Sequence, residues 1–343
     1  MAEKDFAIVC DGTCDLPLSF LEKAAVVPLR LGAAGADGAR DALERLYRDL
    51  AAQGFVRVVS IHSAASFSPV VEDARLAAAA CADVADVRVV DSGSGSVATG
   101  MLIDRAARYR HFDVDFADAV AGLEELAARV RLLVIPAASA PLAARRRRPS
   151  RAGLIGRAAA SLRMRVTGER GLYLLSRGEL TQLARGADCA SLALRLARAA
   201  STVAGNEGEL VHALSEAGDV RALRAVERAL DEAAAPTSCL GTVRALPLGR
   251  EITGAGSVAV AIAPRSAYWR DEASLRGLGS QFEEPAATDV QTRRSQSAAA
   301  SQTNPNQNPV WVHESRENPP ARDKAAGKRH AGTNERTQAG NDR

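Results

Sequence analysis

The sequence predicts an α/β protein of two α/β domains, the first with a mainly parallel sheet. Three observations predict this class. Short β-branched runs alternate with alanine-rich runs of helical periodicity, and the alternation resumes after an arginine-rich interruption. The chain has 343 residues, enough for two domains of roughly 100–200 residues each. Strands that alternate with helices form parallel sheets covered on both faces.

The first predicted domain covers residues 1–144 and has the clearest alternation. Its predicted strands are the runs DFAIVCD, AAVVPLRL, FVRVVSI, DVRVVDS and RVRLLVIPAA. Its predicted helices, with apolar residues at helical spacing, are ARDALERLYRDLAAQG, VVEDARLAAAACADV and SVATGMLIDRAARY. The stretch ARRRRPSRAG interrupts the pattern, and we place the domain boundary there.

A second α/β domain is predicted over residues 145–264, followed by a tail. The run GERGLYLLSRGEL has the pattern of a β-hairpin. Further strands are predicted in GELVHAL, CLGTVRALPL and GSVAVAI, and helices in ADCASLALRLARAAST and DVRALRAVERALDEAA. After Pro264, Ser, Gln, Asn, Pro and charged residues replace the periodic apolar residues. We therefore expect residues 265–343 to form a disordered polar tail.

Composition and charge argue against several classes of function. The net charge of +3 is too small to indicate nucleic-acid binding, and no apolar run approaches the roughly 20 residues of a membrane span. Five widely spread cysteines argue against a disulfide framework and favour a cytoplasmic location. Cys10 and Cys14 have no second pair and no histidine beside them, so no metal site or cofactor is predicted.

Three loops with small polar residues follow predicted strands: DGTCDLP (11–17), SAASFS (63–68) and DSGSGSVATG (91–100). In open α/β sheets, ligands bind outside the carboxyl ends of the strands. Each loop precedes a predicted helix, so backbone N–H groups and helix N-termini favour an anionic ligand there. The alternative is that these serines and aspartates only cap helices and form turns. A ligand site is the hypothesis that accounts for the three loops together.

The same loops give little support for an enzyme. Gly93 and Gly95 begin a pattern similar to the dinucleotide motif G-x-G-x-x-G, but Gly100 comes two residues late and no G-K-[ST] follows. No nucleophile, base and orienting acid can be assembled around His62, which we expect to be packed or to have its tip in solvent. Catalytic residues are not predicted, and a nucleotide-dependent α/β enzyme stays open as an alternative.

Four segments match the motifs of one family in order. IVCDGTCDLP resembles an opening strand with a D-S-T-x-D-L-P loop, with Gly12 in place of the usual serine. SIHSAASFSPVVEDARLAA is similar to I-S-S-x-L-S-G-T-Y-x-S-A-x-x-A-A, and VRVVDSGSGSVATGMLIDRAA to V-x-V-I-D-S-x-x-x-S-x-G-x-G. PLGREITGAGSVAVAI resembles a closing I-G-x-H-x-G-P-G-x-L-G-V-A-F strand. Over residues 5–264 the chain thus resembles the DegV family of bacterial fatty-acid-binding proteins.

This resemblance implies a lipid-binding cleft between the two domains, with an apolar tunnel for a long-chain fatty acid. It implies a carrier and not an enzyme, which presents the fatty acid's carboxylate to a partner fatty acid kinase. By alignment, Ser68 takes the place of the family's second loop serine and is expected to hydrogen-bond the carboxylate. Polar residues at the neighbouring strand ends are expected to surround the same crevice: Asp11, Thr13, Ser63, Ser92 and Ser96.

Other ligand positions of the family differ in this chain. The family's carboxylate ligands also include a threonine in T-S-Q-P-S, an arginine in G-G-R-I and the histidine of H-x-G-P-G. The chain is shortened where the threonine segment would stand, the histidine position falls on Ile252, and AGLIG offers no matching arginine. A degenerate family member that acts as an interaction module without lipid therefore stays open. The sequence gives neither the lipid's chain length nor the oligomeric state, for which a monomer is favoured.

Overall fold

A computed structural model describes residues 6–30, 38–145, 169–233 and 236–270, which form two sheets with helices packed on them. The strands are β1 (Ala7–Cys10), β2 (Val26–Pro28), β3 (Arg57–His62), β4 (Asp86–Asp91), β5 (Arg131–Ile135), β6 (Arg170–Ser176), β7 (Glu179–Gly186), β8 (Leu210–Glu216), β9 (Thr237–Arg244) and β10 (Val258–Pro264). The helices are α1 (Leu18–Lys23), α2 (Ala39–Ala52), α3 (Val70–Ala80), α4 (Ser96–His111), α5 (Phe116–Arg129), α6 (Pro141–Arg145), α7 (Cys189–Glu207), α8 (Val220–Asp231), α9 (Pro247–Thr253) and α10 (Arg265–Tyr268). None of the described helices has the length and apolar character needed to cross a membrane.

The first sheet has four parallel strands in the order β2-β1-β3-β4, as the alternation of strands and helices predicted. Side chains of a strand point alternately to the two faces of a sheet. In β1, Ala7 and Val9 accordingly pack with residues of α2 and α3, whereas Ile8 and Cys10 pack with residues of α4. Both faces of β1 are therefore covered, which explains why this short strand is continuously apolar.

The second sheet is mixed, with the order β7-β6-β5-β10-β8-β9. The predicted hairpin is confirmed as the antiparallel pair β6 and β7, and among the described strands of this sheet only the pair β8 and β9 is parallel. In β10, Val258, Val260 and Ile262 pack with α7 and α8, whereas the small residues Ala259 and Ala261 face the core that contains α4. Helix α4 contacts strands of both sheets and lies between them.

The position of β5 differs from the expectation that it continues the first domain's pattern. β5 joins the second sheet, where Val134 pairs antiparallel with Ala259 of β10 and with Tyr173 of β6. This pairing satisfies both edges of β5, which a place beside the edge strand β4 would not. A boundary between residues 144 and 145 therefore separates β5 from its sheet. The division into two domains stays a prediction, and most of the arginine-rich stretch lies outside the described residues.

The predicted start of the polar tail at Arg265 is too early. Residues Arg265–Tyr268 form α10, in which Ala267 and Tyr268 are buried. The hydroxyl of Tyr268 donates to Asp104 Oδ2 on α4. Trp269 packs edge-on against Tyr268, with the guanidinium of Arg108 4.8 Å from its ring centroid. Tyr268 and Trp269 thus give the residues after Pro264 enough apolar surface to pack, and the tail beyond residue 270 lies outside the described residues.

Candidate functional site

The three predicted loops meet at one edge of the first sheet. β1, β3 and β4 are adjacent and parallel, so the residues that follow them, Asp11, Ser63 and Ser92, come to the same edge. All three side chains are buried. The backbone N–H of Ser63 donates to Asp11 Oδ2 at 2.8 Å, which ties the first two loops together.

Hydroxyl groups from these loops form one hydrogen-bonded chain that ends at Asp11. Thr13 Oγ1 donates to Asp11 Oδ1 and lies 2.6 Å from Ser63 Oγ. Thr99 Oγ1 lies 3.1 Å from Ser63 Oγ and 3.0 Å from Ser92 Oγ. Each hydroxyl has a single proton, and Thr13 gives its own to Asp11, so Ser63 must donate to Thr13. By the same reasoning Thr99 donates to Ser63, and Ser92 donates to Thr99.

This direction has a consequence for ligand binding. A carboxylate accepts hydrogen bonds and offers none, so it needs donors. The hydroxyl protons of Thr13, Ser63 and Ser92 are all directed along the chain toward Asp11. The carboxyl group of Asp11 is itself an acceptor. In this arrangement these four residues order the loops and have no hydroxyl proton left for a fatty acid.

A second buried carboxyl group, that of Asp15, joins the two sheets. Asp15 Oδ2 accepts hydrogen bonds from the hydroxyls of Ser96, at the start of α4, and Ser215, in β8. Asp15 Oδ1 accepts one from the backbone N–H of Leu246, just before α9, at 2.8 Å. Burial raises the pKa of Asp15 from its ordinary 3.8 to about 6, although these hydrogen bonds lower it. Because Ser96 donates its hydroxyl proton to Asp15, it has no hydroxyl proton left for a ligand.

Ser68 differs from the other predicted site residues. Its side chain is buried, and its backbone N–H donates to the carbonyl of Ala64 at 2.8 Å. Pro69, and not Ser68, is the N-cap of α3, and the helix start has no side-chain cap hydrogen bond. In the part of the chain that the structure describes, the Ser68 hydroxyl has no hydrogen-bond partner. The alternative that Ser68 merely caps α3 is therefore wrong.

The structure thus divides the six predicted site residues into three groups. Asp11, Thr13, Ser63 and Ser92 belong to one chain, Ser96 belongs to the Asp15 group, and Ser68 belongs to neither. Sequence reasoning missed three members of these networks: Asp15, Thr99 and Ser215. Asp15 and Thr99 lie in two of the quoted loops, so their type and position were available as a signal. Ser215 lies in β8 and had no signal, since its contact with Asp15 depends on the fold.

Sequence reasoning also missed an arrangement of Ser60, His62 and Asp11 in the order of a catalytic triad. Ser60 Oγ lies 2.7 Å from His62 Nε2, and His62 Nδ1 lies 3.8 Å from Asp11 Oδ2. Ser60 and His62 are fully buried, and Ser60 also accepts a hydrogen bond from Tyr47. Burial lowers the pKa of His62, which disfavours its protonated form. The Ser60 hydroxyl is thus already paired with both Tyr47 and His62, and the group packs the core beneath the loops.

The glycines that resemble a dinucleotide motif have packing roles. A Cβ at Gly95 would lie 2.4 Å from the buried ring of Phe67. A Cβ at Gly100 would lie 2.7 Å from the carbonyl oxygen of Cys14, so this glycine lets α4 approach the loop after β1. Both positions are explained by contacts inside the protein, with no phosphate needed. This observation favours a packing role over a nucleotide site.

Replacing Gly100 by alanine is expected to lower the free energy of unfolding by about 1–3 kcal/mol, because the new Cβ meets backbone that cannot swing aside. Gly205→Ala in α7 is the matched control. A Cβ there meets open space, and alanine favours a helix by about 0.5–1 kcal/mol over glycine. Denaturant unfolding of both variants measures the difference. Equal stability of the two variants would contradict the packing role of Gly100.

Comparisons with known proteins agree on one family. A family model described as "Uncharacterised protein, DegV family" matches residues 38–265. No curated protein matches the chain significantly.

Among solved structures, the chain is similar to a DegV family protein from Corynebacterium glutamicum, with 19% identity, 76% of this chain and 98% of that chain covered, and a TM-score of 0.61. It is similar to a DegV family protein from Thermus thermophilus described by its fatty acid binding, with 18% identity, coverage of 76% and 99%, and a TM-score of 0.60. A stearic-acid-binding protein from Eubacterium ventriosum has 18% identity, coverage of 77% and 99%, and a TM-score of 0.59. At these identities the likeness shows a shared fold.

Proposed function

Because the chain belongs to the DegV family, as its four motifs predicted, we propose that it binds a long-chain fatty acid in a cleft between two domains. The acyl chain lies in an apolar tunnel, and the carboxylate lies at the carboxyl ends of β1, β3 and β4. The fatty-acid-binding and stearic-acid-binding proteins that share the fold support this proposal. The protein acts as a carrier, without a catalytic residue of its own.

The observation that carries the proposal is the unpaired hydroxyl of Ser68. Of the six residues expected at the head group, Ser68 alone has a hydroxyl without a partner among the described residues. It also stands where the family's second loop serine stands. Ser68 is 6% exposed, so its hydroxyl proton is available to a bound carboxylate, and a hydrogen bond to a charged acceptor is stronger than one to a neutral acceptor.

Magnitudes show which part of a fatty acid supplies affinity. Burying about a dozen methylene groups contributes roughly 10 kcal/mol at about 0.8 kcal/mol each, before the cost of association. A hydrogen bond to a carboxylate contributes about 1.5–3 kcal/mol. The acyl chain therefore supplies most of the affinity. The head-group contacts decide between a fatty acid and a neutral lipid of equal length.

The proposal includes a partner. A carrier that exposes the carboxylate at the strand ends can present it to a fatty acid kinase in the cytoplasm. The partner would transfer a phosphoryl group to the carboxylate oxygen. This step is assayed by adding a kinase subunit from the same cell and a nucleoside triphosphate to the lipid-loaded protein.

Replacing Ser68 by alanine is expected to weaken fatty-acid binding by roughly 10- to 150-fold, which corresponds to one hydrogen bond to a charged group. The free energy of unfolding should change little, because Ser68 provides no cap to α3. Titration of delipidated protein with a fluorescent fatty acid measures the dissociation constant.

Ser201→Ala on α7, where the serine hydroxyl bonds only its own helix, is the matched control and should bind like the wild type. Equal dissociation constants for wild type and Ser68→Ala would remove Ser68 from the site. Absence of saturable binding by the wild type would contradict the proposed function and would favour an interaction module without lipid.

A further inference from the structure

Ser94 is a second serine at the strand ends with an uncommitted hydroxyl. It lies in the loop between β4 and α4 and is 0% exposed. In the described part of the protein its Oγ has no hydrogen-bond partner. Its backbone N–H donates to Ser92 Oγ at 3.2 Å, so a hydrogen bond fixes the backbone of Ser94 while its hydroxyl stays unpaired. Neither the motifs of the family nor the strand-end argument singled it out.

Two contacts place Ser94 beside the loop that carries Ser68. The carbonyl of Ser94 accepts a hydrogen bond from the backbone N–H of Ala64 at 2.7 Å. The carbonyl of Ala64 in turn accepts one from the N–H of Ser68 at 2.8 Å. The ring of Phe67, the residue before Ser68, packs on Gly95, the residue after Ser94. The loops of Ser68 and Ser94 are therefore joined by backbone and by side chain.

The surrounding hydroxyls make these two serines distinct. Ser92 and Ser96, the neighbours of Ser94 in its loop, give their protons to Thr99 and Asp15. A buried hydroxyl that has no partner is rare and unfavourable in proteins. Ser94 has such a hydroxyl, and the hydroxyl of Ser68 on the joined loop also has no partner among the described residues. An acceptor with two oxygens would satisfy both. A carboxylate is such an acceptor, with room for a donor on each oxygen.

We propose that Ser94 is a head-group ligand that donates a hydrogen bond to the carboxylate together with Ser68. This inference rests on the proposed function and adds a residue and a selectivity to it. Two hydroxyl donors favour an ionised acid over a methyl ester of the same chain, because hydrogen bonds to a charged acceptor are the stronger ones. Ser94 thereby takes over part of the role of the family's carboxylate-binding residues that have no counterpart in this chain.

The test compares Ser94→Ala with wild type and with Ser201→Ala, all delipidated. Binding of palmitate and of methyl palmitate is measured by displacement of a fluorescent fatty acid. Ser94→Ala is expected to bind palmitate roughly 10- to 150-fold more weakly and methyl palmitate with a smaller loss. Its ligand-free unfolding midpoint in denaturant should equal or exceed that of wild type, because alanine removes an unpaired buried hydroxyl.

The outcomes separate the inference from the proposed function. If wild type and Ser68→Ala differ in palmitate binding but Ser94→Ala binds like wild type, the inference falls and the function stands. A lowered unfolding midpoint of ligand-free Ser94→Ala, with unchanged preference for the acid, would show a structural role and also overturn the inference. If wild type binds neither lipid, both fall.

Discussion

A chain that ends at Pro264 is expected to have a free energy of unfolding about 3–5 kcal/mol lower than a chain that ends at Arg270, the cost typical of removing a buried aromatic side chain. The shorter chain lacks Tyr268, which is 1% exposed. It also lacks the hydroxyl that donates to Asp104 and leaves that buried carboxyl group with Arg108 as its remaining partner among these contacts. Denaturant unfolding of both chains, followed by circular dichroism, measures the difference.

The full chain provides the control. It should unfold like the chain that ends at Arg270, because the composition after that residue offers little apolar surface to bury. Tyr268→Ala in the full chain should reproduce most of the loss. Equal stability of the chains that end at Pro264 and at Arg270 would contradict the packing role of α10.

Replacing Asp15 by asparagine is expected to remove a pH dependence of the unfolding free energy worth about 2 kcal/mol between pH 4 and pH 7. The folded protein holds the pKa of Asp15 at about 6, above its ordinary 3.8, so in this window the folded state binds more protons than the unfolded state. The contribution of Asp15 is therefore most favourable below about pH 4 and is lost as the pH rises through 6. Asparagine keeps the shape, accepts from Leu246 and never ionises.

The measurement is the difference in unfolding free energy between wild type and Asp15→Asn at several pH values. Burial lowers the pKa values of His62 and His212, so their protonation destabilises the folded protein as the pH falls. Both proteins contain these histidines, so their effect cancels in the difference. The free energy of unfolding of wild type should fall relative to that of Asp15→Asn as the pH rises from 4 to 7. A constant difference, or one of opposite sign, would contradict the burial of Asp15 as an ionisable group.

Local patterns predicted most of the fold because its parallel half is built from neighbours in sequence. Strands and helices alternate along the chain through the first sheet, so periodicity and β-branched runs located β1, β3, β4 and α2–α4. β5 has the same local pattern, but its partner β10 comes from the end of the described chain. Periodicity along the sequence holds no information about such a pairing. The packing of α10 was missed for the same reason, since it depends on Asp104 in α4.

The candidate site was predictable as a place but not as a set of contacts. Strand-end position brought the loops of Asp11, Ser63 and Ser92 together. The direction of each hydroxyl proton depends on distances between side chains, which the sequence does not contain. The partners of Asp15 lie 81, 200 and 231 residues away from it along the chain. The structure was therefore needed to distinguish the serines whose hydroxyls are hydrogen-bonded within the protein from Ser68 and Ser94, whose hydroxyls are not.

The central claim is that this chain carries a fatty acid, and native mass spectrometry of protein purified from bacteria without added lipid tests it most directly. The account predicts a population whose mass exceeds that of the chain by one long-chain fatty acid. Extraction with organic solvent should release that acid, and Ser68→Ala should carry less of it. Protein that shows only the mass of the chain, and that still shows only that mass after incubation with palmitate, would contradict the claim.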